Sequence, residues 1–255
     1  MPRLAANLSM MFNEVSFLDR FDAAARAGFE AVEFLFPYEH PAAELKRRLD
    51  ANGLRQVLFN MPPGDWAAGE RGLASMPGRQ QEFRDSVSRA LDYATALECP
   101  LMHCMAGIPP AGTPFATAAA LFAANLAWAA EQAKSAGVKL AIEPINHRDM
   151  PGYHLNTMAQ GAAVVEAIGA DRIGLQFDIY HCQTTEGDIT KRMEALMPLI
   201  VHMQIADVPA RNEPGTGEIG WPFVLKRIDE LGYRGWVGCE YRPADDTLAG
   251  LEWRR

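Results

Sequence analysis

The sequence predicts an α/β fold in which eight strand–helix units close into a (β/α)8 TIM barrel. Three observations carry that expectation. Short, nearly continuous apolar runs alternate with longer amphipathic stretches, the pattern of parallel strands covered by helices. The runs number eight. The chain has 255 residues, the usual size of one such barrel, so a single domain over 1–255 is expected. An open doubly wound sheet is the alternative. It usually carries a glycine-rich phosphate turn after its first strand, and here that turn reads Asn7-Leu8-Ser9-Met10-Met11, without glycine.

The strands are expected at Leu4–Leu8, Ala31–Leu35, Arg55–Phe59, Leu101–Met105, Lys139–Ile142, Ile173–Phe177, Ile200–Ile205 and Trp236–Cys239. Seven helices fit between them, with a short one in the tail. Phe17–Ala27 is apolar at helical spacing and stops at Gly28. Pro41–Ala51 closes before Asn52-Gly53. Arg79–Leu97 and Thr117–Ala136 are the longest. Thr157–Ile168 ends at Gly169, Ile189–Leu196 is shorter, and Pro222–Leu231 ends at Gly232. Glycine just past a helix is a natural stop, because it takes the left-handed conformation without a Cβ clash. The widest non-periodic segment is 60–78, with three Pro, four Gly and Trp66. A loop this long in a compact domain usually forms a lid or binding loop.

Polar residues fall at telling places in these strands. Glu33 lies in AVEFL, His103 in LMHCM, Glu143 follows KLAI, Asp178 follows IGLQF, Gln204 lies in VHMQIA and Glu240 follows WVGC. In a barrel the C-terminal strand ends converge on the face that carries the active site. Glu143, Asp178, Gln204 and Glu240, from strands five to eight, then point at one spot. Any one of these acids alone fits a strand-end cap or an ion-pair partner equally well. Together they bury three carboxylates, which is unfavourable unless something neutralises them. A divalent metal is the simplest answer, and an oxygen-rich set without thiolate suits Mg2+ or Mn2+.

Weaker candidates surround this set. His181, in DIYH, could contact a substrate oxygen or be a satisfied structural histidine. Arg211 lies in the loop after strand seven, where barrels often bind anions, or is a solvated loop charge. Asp149 could meet a substrate hydroxyl or order its loop, and Arg71 could pair with a substrate carboxylate. His103 and His147 rank lower, Glu33 could serve the pocket wall, and Trp66 fits lid packing better than substrate stacking. No Ser-His-Asp spacing, GxSxG, P-loop or HExxH occurs.

Bulk composition sets limits. Lys plus Arg number 24 against 32 Asp plus Glu, a net charge of −8, which argues against a nucleic-acid partner. A small anionic substrate stays compatible, because a local cluster of Arg or His can reverse the field inside a pocket. Cys99, Cys104, Cys182 and Cys239 form no CxxC and read as reduced, buried thiols of a cytoplasmic protein. No signal peptide and no run of about 18 apolar residues is visible, so no membrane partner is expected.

Several segments together resemble the hydroxypyruvate isomerases, within the xylose-isomerase-like barrels that include the ketose 3-epimerases. They are ANLSMMF at 6–12, VEFLFPY at 32–38, PGDWAAGERG at 63–72, IEPINH at 142–147, FDIYH at 177–181, HMQIAD at 202–207, EPGTGEI at 213–219 and GWVGCEY at 235–241. The resemblance implies interconversion of hydroxypyruvate and tartronate semialdehyde (2-hydroxy-3-oxopropanoate), with Glu143 and Glu240 as the acid/base pair. It implies a metal held by Glu143, Asp178, Gln204 and Glu240. Related epimerases typically carry His at the strand-seven position, from which Gln204 departs. A sister group isomerises 2-oxo-tetronates; PGDWAAGERG and EPINH lean toward the hydroxypyruvate branch. Ketose 3-epimerisation is a more distant alternative, needing the same carboxylates and a longer, neutral pocket. A DNA-repair endonuclease on this barrel would need more metal-binding histidines than the six His present provide. By analogy of fold, a homo-oligomer is possible.

Overall fold

Each apolar run becomes a strand, and the strands bury both faces. β1 (Arg3–Asn7), β2 (Ala31–Phe34), β3 (Arg55–Asn60), β4 (Leu101–His103), β5 (Lys139–Ile142), β6 (Ile173–Asp178), β7 (Ile200–Ile205) and β8 (Trp236–Cys239) are all parallel to their neighbours. They close in sequence order, β1 pairing with β8. The computed structural model describes residues 1–254. Parallel neighbours need crossovers, and these are α1 (Arg20–Arg26), α2 (Ala42–Asn52), α3 (Gln80–Leu97), α4 (Phe115–Ser135), α5 (Met158–Ile168), α6 (Ile179–Thr185), α7 (Ile189–Leu196) and α8 (Trp221–Glu230).

The helices behave as their sequences dictate. α4 buries Ala118, Phe122, Leu126, Ala129, Ala130 and Ala133, a stripe at three- and four-residue spacing that faces the strands. α5 begins one residue later than its pattern suggests, because Thr157 is its N-cap. The Thr157 hydroxyl accepts from the Gln160 N–H, and the Gln160 side chain accepts from the Thr157 N–H, the reciprocal capping box. The expected first helix splits into a 3-10 turn, Phe17–Asp19, and α1. The tail forms a 3-10 helix at Ala249–Arg254. α6 has no counterpart among the expected helices. It is one of the shortest at 7 residues, too short to show a period, and it starts because the Asp178 carboxylate accepts from the Tyr180 and His181 N–H groups at 2.7 and 3.4 Å.

The hydrophobic core fills the space between strands and helices. The barrel interior is different. Asn7, Glu33, Gln176, His202 and Gln204 are each about 1% exposed and hydrogen-bond to one another across it. Glu33 reaches from β2 past β1 and β8 to β7, and Gly238 on β8 lets it pass: a Cβ there would lie 2.2 Å from a Glu33 carboxylate oxygen. All four cysteines are buried and free. Among the described residues no helix is long and apolar enough to cross a membrane.

The 60–78 loop is tied down rather than loose. Ser75 donates from its N–H and its hydroxyl to the Ala106 carbonyl at 2.9 and 2.7 Å, and Leu73, Ala74 and Ser75 are buried. Glu70 accepts from the Asp65 N–H at 2.6 Å and pairs with Arg79.

Candidate active site

The strands end on a cavity of about 500 Å3. Its walls include Glu143, Glu240, His103, His181, Asp149, Arg71, Arg148, Arg211 and Tyr180. Strand ends explain the placement of the acids. Glu143 and Glu240 are the first residues past β5 and β8, and Asp178 is the last of β6. Asp178 is fully buried behind the cavity wall. One ligand atom from each of Glu143, Asp178, His181 and Glu240 lies within 4.8 Å of the others.

Arg211 supplies the counter-charge. One of its terminal nitrogens stands 2.5 Å from Glu240 Oε2 and 3.5 Å from Asp178 Oδ2, and the other 3.7 Å from Asp149 Oδ2. Its backbone is left-handed, with φ of 61°, a strained state for a residue with a Cβ. The loop over-determines it. Asp207 accepts four backbone N–H groups, from Val208, Gly215, Gly217 and Ile219, at 2.9 to 3.1 Å. Gly217 is required there, since a Cβ would sit 2.0 Å from the Val208 carbonyl oxygen. Asp207 therefore builds the turn that delivers Arg211, a role no local motif displays.

The electrostatics follow from burial. Burial raises Glu143 well above the usual carboxylate range, and Glu240 and Asp178 push it further, against Arg211. Burial also raises Asp178, with Arg211 opposing. Glu240 rises to about 8, first from burial, although Arg211 opposes it. Burial works against the Arg211 charge, but the acids outweigh it and leave the guanidinium more basic than usual. His103 is pushed down to about 3, by burial and then by His202.

His181 is contacted at both ring nitrogens. The Asn146 backbone N–H and side-chain amide both donate to its Nδ1, at 3.4 and 2.6 Å. The Asn146 amide is itself oriented, because its oxygen accepts from the Asp149 N–H at 2.8 Å. Burial and then Arg211 keep the imidazole pKa well below its usual value, so the ring is neutral, and a guanidinium nitrogen of Arg211 stands 3.3 Å from its Nε2. Nε2 also stands 3.6 Å from Asp178 Oδ2 and 3.9 Å from Glu143 Oε1.

The donor set fits a hard divalent ion on one observation. Glu143 Oε1 is buried and has no hydrogen-bond partner, while two further carboxylates lie beside it. An orphaned buried acceptor among acids is the arrangement a cation completes. Gln204, level with Asp178 in the β6–β7 register, turns its Oε1 to the Gln176 amide at 2.6 Å and its Nε2 to Glu33.

The remaining candidates divide. Arg71 lines the mouth with its guanidinium 3.8 Å above the Trp66 ring, and it donates to the Trp66 and Glu70 carbonyls. Trp66 lines the cavity and packs on Phe36 at 5.0 Å. His103 lines the wall and meets the Asn60 side chain at 3.1 Å. His147 lies in a separate groove, and Glu33 does not line the cavity. Arg148 and Tyr180 are cavity residues that motif reading missed. Their signal was position: Arg148 follows a strand-end loop, and Tyr180 adjoins His181 in FDIYH. The two hydrogen-bond to each other at 2.9 Å.

Comparison with known proteins places this architecture. The pattern of one family, described as xylose isomerase-like TIM barrel, matches residues 21–255. A 2-oxo-tetronate isomerase from Cupriavidus necator is 56% identical over 99% of this chain and 97% of its own length. A hydroxypyruvate isomerase from Escherichia coli is 47% identical over 99% of this chain and 98% of its own. The crystal structure of a protein described as AP endonuclease, family 2, from Brucella melitensis superposes with a TM-score of 0.97 at 48% identity, covering 99% of this chain and 98% of that one.

Proposed function

We propose that this chain, which belongs to the xylose isomerase-like TIM-barrel family, is an isomerase that exchanges the carbonyl and hydroxyl of a short 2-oxo acid through Glu143 and Glu240. The observation that carries this reading is the pair itself. Both carboxylates are buried, line one cavity and are pushed above the usual carboxylate range, Glu240 to about 8, which suits a side chain that both takes and returns a proton.

The chemistry follows from the substrate. In a 2-oxo-3-hydroxy acid, the C3 hydrogen is acidified by the C2 ketone. One carboxylate takes that proton, leaving an enediolate. A proton returned to C2, with transfer of the hydroxyl proton from O3 to O2, gives the 3-oxo-2-hydroxy acid. The two carboxylates act as base and acid and exchange roles in reverse. His181 is placed to hydrogen-bond a substrate oxygen, and Arg211, with Arg71 at the mouth, fixes the substrate carboxylate. The 60–78 loop shields the enediolate from water. Glu143, Asp178 and Glu240 would hold a divalent ion, Mg2+ or Mn2+, whose Lewis acidity would stabilise negative charge on substrate oxygens; Gln204, expected among the ligands, has its amide engaged by Gln176 and Glu33 instead.

From motifs alone hydroxypyruvate stands first as substrate. The 56% identity to a 2-oxo-tetronate isomerase, against 47% to a hydroxypyruvate isomerase, favours the four-carbon 2-oxo-tetronate. DNA cleavage, raised by the name of the Brucella melitensis protein, fits poorly with a net charge of −8. The test is turnover of hydroxypyruvate, a 2-oxo-tetronate, a free ketose and an abasic duplex, with and without a chelator. Turnover of the 2-oxo acids, fastest for the tetronate and lost on chelation, is expected. Turnover of the ketose or the duplex alone overturns the reading, and full activity after exhaustive chelation removes the metal from it.

A further inference from the structure

One buried carboxylate takes no part in this chemistry. Glu33, 1% exposed, stands inside the barrel and is saturated by donors. Its Oε1 accepts from Asn7 Nδ2 at 3.0 Å and from Gln204 Nε2 at 2.8 Å, and its Oε2 lies 2.6 Å from His202 Nε2. TIM barrels usually fill this space with branched aliphatic side chains. A buried ionic network costs desolvation that such packing avoids. Its position suggests what it does here.

An amide has the same shape after a half-turn, so its orientation is decided by what faces it. An ionised carboxylate can only accept, so both amides must turn their NH2 groups toward Glu33. The other ends agree: Asn7 Oδ1 accepts from the Ser9 N–H at 3.0 Å, and Gln204 Oε1 accepts from Gln176 at 2.6 Å. With the Asn7 NH2 fixed, its second N–H lies 3.5 Å from Glu240 Oε1. The other oxygen of Glu240, Oε2, is held by Arg211. Glu240 is thus gripped from two sides, by a loop cation and by an amide that Glu33 orients.

We propose that Glu33 is a positioning residue for the reaction: through Asn7 it fixes the orientation of Glu240 inside the cavity. This rests on the acid/base role of Glu240 proposed above.

The experiment compares Glu33→Met, which keeps bulk and removes every acceptor, with Glu33→Gln, whose single oxygen can still accept from Asn7 and Gln204. Folding is checked by circular dichroism and thermal melting. Glu33→Met should lower kcat about 10- to 100-fold, the usual cost of losing an outer orienting partner, with KM within about threefold. Glu33→Gln should restore kcat to within about threefold of the parent. A folded Glu33→Met with parental kcat overturns the proposal, as does an equal loss in both variants. If Glu33→Met does not fold, Asn7→Ala decides, since it removes the bridge and leaves Glu33 its other partners: a fall in kcat at unchanged KM is expected, and an unchanged kcat overturns the proposal. Glu240→Gln is measured alongside. Parental turnover in that variant removes the acid/base reading itself. Loss of turnover there, with parental kcat in folded Glu33→Met and Asn7→Ala, removes only the positioning role.

Discussion

Two carboxylates are buried within this barrel and are treated in opposite ways. Glu33 receives three donors on its two oxygens. Glu143 has an oxygen with no partner at all and two further acids beside it. Burial is the same, 1% and 4% exposed, so burial does not distinguish them. Satisfaction does. A saturated carboxylate is fixed in place and orients its neighbours, whereas an unsatisfied one is held at a cost and remains available to a proton, a cation or a substrate.

The comparison can be broken by swapping what each site loses. Glu33→Met should destabilise by about 3–5 kcal/mol, because His202 and two amides lose their acceptor in the interior. Glu143→Gln should stay within about 1 kcal/mol of the parent or gain, because it relieves repulsion among three clustered acids. Denaturant titration of both variants measures this; equal losses would erase the distinction.

The same swap read in turnover runs the other way. Glu143→Gln and Glu240→Gln should each lose about a hundredfold in kcat, about 2.7 kcal/mol on the barrier, while remaining folded. Steady-state assays with parental turnover in either variant reject its acid/base role.

Arg211 sharpens the contrast, since it is the cation beside the unsatisfied cluster. Arg211→Lys keeps the charge but loses the planar fork, one nitrogen of which reaches Glu240 and Asp178 and the other Asp149. KM for the 2-oxo acid should rise about tenfold, or about 1.4 kcal/mol. An unchanged KM would place Arg211 outside substrate binding.

The smallest effect concerns the loop above the site, tied by a third carboxylate. Arg79 beside Glu70 holds that carboxyl below its usual pKa, against a burial that works the other way. The folded value is depressed, so the stabilisation is present above the ordinary Glu pKa and is lost as pH falls through the lower folded value. The protection factor of the Asp65 amide, whose N–H Glu70 accepts, taken against the intrinsic exchange rate at each pH, should therefore fall below about pH 4 before the barrel strands lose protection. Simultaneous loss in loop and strands would contradict a local tie.

Much of the fold was legible in sequence because its signals are local. Short apolar runs, 3.6-residue periods and glycine stops mark the elements within a few residues of one another, and all eight strands lie where the apolar runs put them. α6 escaped, since it begins from a side-chain cap and is too short to show a period. Glu143 and Glu240 were legible for the same local reason, as each is the first residue after an apolar run that becomes a strand.

What each polar residue meets was not legible. Glu33 and Glu143 look alike in their strands, but two of the three partners of Glu33 lie 169 and 171 residues away on β7. Arg211 looks like a loop charge until the Asp207 turn delivers it to Glu240, 29 residues on. The sequence by itself determined the barrel, its strand ends and the acids they carry. Only the tertiary structure decided which acid is saturated and which is left wanting a partner. The physical reason is that hydrogen-bond satisfaction belongs to closed geometry: it exists only once strands far apart in the chain stand side by side.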